Sequence, residues 1–73
     1  MENAQWQKPV SIGREVIAGP HEAIRFMDRR WPAIKGMCFA KAHLACLAAL
    51  DGREAPDAAR QRFEAAVDEA KLH

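Results

Sequence analysis

The chain has 73 residues, 49% of them hydrophobic and 29% charged, with eleven Lys and Arg against ten Asp and Glu for a net charge of +1. That length implies one domain over residues 1–73, with residues 1–5 as a loose end, burying only about 60% of the surface its unfolded chain exposes. The mix excludes a disordered chain, and the near-zero charge excludes a globally basic binder of nucleic acid or acidic membranes.

The start, MENAQWQKP, has neither a basic region nor an apolar one, so no signal peptide is expected. The longest unbroken apolar run covers residues 44–50, far short of the roughly 20 residues a membrane span needs. A cytoplasmic protein without membrane contact is expected, with Cys38 and Cys46 as reduced thiols. Much of the apolar content is alanine, which leaves a short set of large core candidates. They are Trp6, Ile12, Ile17, Ile24, Phe26, Met27, Trp31, Ile34, Phe39, Leu44, Leu47, Leu50 and Phe63.

Trp6, Lys8, Val10 and Ile12 alternate with Gln7, Pro9 and Ser11, the period of a strand. Pro9 lacks a donor, so the strand lies at an edge or starts after it. Gly13-Arg14 suits a two-residue type II′ turn, which needs positive φ at its first position. A second strand then runs from Glu15 to Ala18. In that register Val10 faces Ile17, Ile12 faces Glu15, and Val10, Ile12 and Ile17 share one face.

Gly19-Pro20 opens a first helix, with glycine as the cap, proline at the first position and Glu22 in the first turn. Ala23, Ile24, Met27 and Trp31 form its apolar stripe, opposite Arg25 and Arg29. The residue before Pro32 is steered away from α backbone, so the helix ends near Trp31. A second helix is predicted from Gly36 to about Leu50, stopped by Gly52. On it Cys38, Phe39, Ala42, Cys46, Ala49 and Leu50 fall on one side, with Leu47 at the margin. Met37, Lys41, Leu44 and Ala48 fall on the other. A helix this apolar all round is normally covered by more than one neighbour. Pro56 and Asp57 open a third helix with a narrow stripe of Ala59, Phe63, Ala66, Val67 and Ala70. The predicted fold is α+β, an N-terminal two-stranded β-hairpin packed on three α-helices.

Several of these features recur together in one family. They are Pro9-Val10, Glu22-Ala23 opening a helix that ends in Trp31-Pro32, Gly36, Ala42, Cys46 and the Ala49-Leu50-Asp51-Gly52 stop. Ala59-Arg60-Gln61-Arg62-Phe63, Ala66 and Glu69-Ala70 complete the set. In this order they resemble the family called domain of unknown function 982, over about residues 6–70. The resemblance implies a free-standing single-domain protein of a soil bacterium. It carries no activity, ligand or partner onto any residue.

Cys38, His43 and Cys46 raise a metal reading, which helix geometry weakens. Eight residues separate the two cysteines, about 12 Å along a helix axis, too far for one zinc or for a disulfide. His43 and Cys46 are close enough to share an ion but lack two further ligands. Cys38 in a first helical turn, near Lys35 and Lys41, raises the reading of an activated thiol. His43 lies about 140° away around the helix, too far to act as its base. A half-buried His43 with a hydrogen-bond partner is expected instead. No glycine-rich phosphate loop, Ser-His-Asp set or paired carboxylates stand out, so neither an enzyme nor a cofactor is expected.

Two binding readings remain. Residues 23–41 hold Arg25, Arg29, Arg30, Lys35 and Lys41 against Asp28 alone, a local +4. These five are candidate phosphate contacts of a weak nucleic-acid-binding accessory protein, with Trp31 for stacking. The competing and preferred expectation is a protein-interaction or self-associating module. Met37 and Leu44, pointing away from the main stripe of the second helix, are its candidate partner-facing residues, and a homo-oligomer is one form it takes.

Overall fold

Gly13 adopts a φ of +58°, which an L side chain rarely adopts, and that turn sets the register of everything before the first helix. The structure, a computed structural model, describes residues 5–32 and 35–72. Strands β1 (Val10–Ile12) and β2 (Glu15–Ile17) pair antiparallel, with Val10 opposite Ile17 and Ile12 opposite Glu15. This is the expected register, and β1 starts directly after Pro9. Val10, Ile12 and Ile17 are buried on one face, while Val16 points to solvent on the other. The hairpin mouth is extended by the Trp6 N–H donating to the Ala18 carbonyl at 2.7 Å.

Helix α1 (Pro20–Arg29) begins where Gly19-Pro20 requires. Glu22 does more than favour the dipole: its Oε1 accepts the Ala18 N–H at 3.0 Å, tying the end of β2 to the first turn. The helix ends two residues sooner than expected, with the Arg30 N–H closing onto the Phe26 carbonyl. Trp31 thus belongs to the core from beyond the helix, where the following proline disfavours α backbone. Its ring meets Phe26 edge-on at 6.0 Å and lies 5.2 Å from Phe39 and 6.2 Å from Phe63. Phe26, absent from the expected stripe, is buried, and Ile24 is only partly so.

Helix α2 (Met37–Leu50) ends in a Schellman motif, with Gly52 at φ +79°, its N–H on the Ala49 carbonyl and the Arg53 N–H on the Ala48 carbonyl. At the other end Gly36 offers no side-chain cap. Glu69 supplies one from α3, its Oε1 accepting the Cys38 N–H at 3.3 Å. A Cβ at Gly36 would meet that carboxyl group and require the Glu69 side chain to shift, at the expense of the cap. Helix α3 (Pro56–Ala70) ends in the same motif with Lys71 in the left-handed position, and Leu72 at the next position folds back onto the core.

α2 packs chiefly on α3 and also on α1, while β1 rests on α3. Phe63 of α3 is the centre of the core, fully buried, 5.7 Å from Trp6 and also touching Trp31. Arg60 fastens this helix to the chain leading into β1, its Nε donating to the Lys8 carbonyl at 2.6 Å while its guanidinium pairs with Glu64 at 3.0 Å. Of the expected core, Leu44, Leu47 and Leu50 lie outside it as exposed residues. Ile34, residues 1–4 of the expected loose end and most of the connection after Pro32 fall outside the described residues.

Candidate functional site

The inner side of α2 is made of small residues. Ala42, Ala45, Cys46 and Ala49 are buried, at spacings of three, one and three that define a single face. Interaxial distance between packed helices depends on the side chains at the contact, and small residues here leave room for the bulk of Phe63 and Trp31. Apart from Phe39, which packs half-buried against the core beside Trp31, the large residues point outward. Met37 is 70% exposed, Leu44 66%, Leu47 42% and Leu50 44%. Expectation and structure thus agree for Met37 and Leu44 and differ for Leu50, expected inward, and Leu47, expected at the margin. The stripe is rotated from its expected position, onto Ala45 and away from Leu50. Two signals in the sequence mark this outer face. One is the small-residue series 42, 45, 46, 49; the other is Met37, Ala40, Leu44 and Leu47 at three-four-three spacing.

Beside the outer face runs a groove of about 390 Å³ between α1 and α2, lined by Met27, Asp28, Lys35, Phe39, Ala40, His43 and Leu44. His43 is half-buried and its Nε2 lies 3.3 Å from Asp28 Oδ1, the partnered histidine the sequence suggested. The Lys35 ammonium sits 5.5 Å above the Phe39 ring, a cation–π distance.

The five candidate phosphate contacts do not share one surface. Arg25, Arg29 and Arg30 line a shallow cleft of about 230 Å³ between α1 and β2, together with Glu15 and Glu22. Arg30 is ion-paired with Glu15 and stands 6.0 Å over the Phe26 ring. Lys35 belongs to the α1–α2 groove instead, and Lys41 is exposed on α2, lining neither. Trp31, the proposed stacking residue, is buried.

Cys38 and Cys46 are both free thiols. Cys46 is buried and its pKa is pushed up to about 12, by loss of solvation first and by the Glu54 carboxylate second. It stays a neutral, small apolar group at physiological pH. Cys38 is half-buried, and the helix terminus offered to its thiol is already engaged by the Glu69 carboxylate. Among the described residues no three His, Cys, Asp or Glu side chains come together as a metal site. A depression of about 690 Å³ lies at the other end of α2, between Gly19–Glu22 and the α2–α3 turn. Of its charged groups, Glu22 accepts the Ala18 N–H and Asp51 pairs with Arg53 at 3.3 Å, while the buried Oε1 of Glu54 has no hydrogen-bond partner. Among the described residues no helix is long and apolar enough to cross a membrane.

A hairpin-plus-three-helix α+β unit whose central helix carries its large apolar side chains outward is the class of protein this structure defines. The chain belongs to the family described as protein of unknown function (DUF982), whose model matches residues 8–73. No curated protein and no solved structure matches it.

Proposed function

We propose that this protein is a non-enzymatic interaction module that docks another protein surface on the outer face of α2. One observation carries the reading: Met37, Leu44, Leu47 and Leu50 stand in water on the central helix while alanines occupy its core side. Scattered exposed leucines are ordinary, but a contiguous apolar face marks a contact surface. Three groups capable of chemistry are engaged in holding the fold, which supports a scaffold: His43 with Asp28, Glu69 with the α2 terminus, and Cys46 as a buried neutral thiol. A cytoplasmic setting, where thiols stay reduced, suits Cys38 and Cys46.

A photo-reactive phenylalanine analogue at position 44, in living cells, tests this reading. A covalent protein adduct is expected there, abolished by Leu47→Glu and untouched by Val16→Glu on the exposed side of the hairpin. No adduct at position 44, or one indifferent to Leu47→Glu, ends the proposal.

A further inference from the structure

The start of α1, the end of α2 and the start of α3 border one depression. Its volume of about 690 Å³ lies within the roughly 300–1,000 Å³ of small-molecule sites. Part of the lining is apolar, from Pro20, Ala49, Leu50 and Pro56. Its carboxylates are Glu22, Asp51 and Glu54, against the single guanidinium of Arg53.

Glu22 and Asp51 have partners, the Ala18 N–H and Arg53. Glu54 is different. Its Oε1 is shut off from solvent without a hydrogen bond, and no ion pair among the described residues includes it. A covered polar atom without a donor is costly, and more so on an ionised group. Arg53, the neighbour of Glu54 in the chain, lies beside Asp51 instead, and both of those side chains are largely exposed. A pair so exposed contributes little. The depression thus holds more negative charge than it balances, and what Glu54 lacks is a donor. Glu54 as a whole is only half-buried and lines the depression, so a change of side-chain rotamer brings its carboxylate to a ligand there.

The surroundings select the kind of donor. An anion fits poorly, because α1 and α3 already carry Glu22 and Asp57 in the first turns that would attract it. A metal ion fits no better. Hard cations take about six or more oxygen ligands, and among the described residues no three His, Cys, Asp or Glu side chains converge. An organic ammonium needs only a carboxylate for its head and an apolar surface for its stem, and this lining offers both.

We infer that this depression binds a small organic cation, a primary ammonium on an apolar stem, with Glu54 accepting its N–H groups and Pro20, Leu50 and Pro56 against the stem. The site is distinct from the outer face of α2 and shares only Leu50 with it.

Amide NMR of the whole chain, titrated with hexylammonium chloride at neutral pH, tests it. Saturable shifts are expected at residues 19, 21, 22 and 49–55, with a dissociation constant on the order of 1 mM for so small a ligand. Hexan-1-ol, the same stem without the charge, should leave those amides unmoved. Glu54→Gln keeps the side chain's shape and should weaken hexylammonium roughly tenfold or more. It should not lower the melting temperature, because the charge it removes has no partner in the fold. Asp28→Asn, in the α1–α2 groove, should bind as the parent does. An absence of saturable shifts at these residues overturns the site. Equal binding of hexan-1-ol, or undiminished binding by Glu54→Gln, overturns Glu54 as the group that recognises the ligand. A melting temperature that falls in Glu54→Gln shows a carboxylate already satisfied within the fold and counts equally against the proposal. Saturable shifts at the same residues with sodium phosphate or calcium chloride, and none with hexylammonium, overturn the organic cation as the occupant.

Discussion

Helix α3 turns Phe63 and Val67 into the core and leaves Asp57, Gln61, Arg62 and Asp68 in water; α2, packed against it, turns alanines and Cys46 inward and leaves Met37, Leu44, Leu47 and Leu50 in water. The first follows the ordinary rule for an amphipathic helix. The second reverses it in side-chain size. The difference teaches that burial here is decided by volume as much as by hydropathy. A small core already holding Trp6, Phe26, Trp31 and Phe63 has no room for leucines from α2, and along Ala42, Ala45, Cys46 and Ala49 close packing admits only small side chains. The hydrophobic effect alone would bury Leu44 before Ala45; space prevents it.

Truncating the buried bulk of α3 is the harshest way to test this contrast. Phe63→Ala should cost about 3–5 kcal/mol, comparable to the whole stability of so small a domain, and should unfold much of the protein in a denaturant titration. Leu44→Ala on the outer face of α2 should change stability by less than about 0.5 kcal/mol. Similar losses at the two positions would mean that α2 is buried in the other sense.

Adding volume gives the complementary, smaller effect. Ala42→Leu, at a fully buried position, should cost about 1–3 kcal/mol by overpacking. Ala40→Leu, two residues earlier and exposed, should leave the denaturation midpoint nearly unmoved.

Cys46 ties the inner face of α2 to pH. Its thiol is raised from 9.0 to about 12 in the fold, so below pH 9 both folded and unfolded chains hold the proton and nothing is lost. Between pH 9 and 12 the unfolded chain releases it and the folded chain does not, so folding stability falls as pH rises, by at most about 1.4 kcal/mol per unit. Thermal melts across that window should fall more steeply for the parent than for Cys46→Ala. Equal slopes would show that Cys46 titrates normally and is not enclosed. Alkylation in native buffer should mark Cys38 before Cys46.

The smallest expected effect lies at the end of α3. Lys71 has a φ of 56°, and Lys71→Gly should stabilise the fold by roughly 0.5–1 kcal/mol, read as a rise in melting temperature. A drop would mean that the Lys71 side chain contributes more than its backbone strain costs.

What sequence alone determined is what short-range physics controls. The register of Val10 on Ile17 followed from alternation and a two-residue turn with glycine first. The starts of α1 and α3 followed from Pro20 and Pro56, and the stop of α2 from Gly52, since each depends on the backbone chemistry of one or two residues. Met37 and Leu44 were legible as lying opposite the Ala42–Cys46–Ala49 line, though not as exposed. Only the tertiary structure decided the rest. Phe26 and Trp31 meet across the end of α1 because the backbone leaves the helix before Pro32. Glu69 caps α2 from α3, a contact 31 residues distant in the chain. The true orientation of α2, with Leu47 and Leu50 outside and Ala45 within, was illegible for a physical reason. Apolar side chains around its whole circumference give no hydropathy gradient to orient it, and the choice passed to the space that Phe63 and Trp31 left beside it.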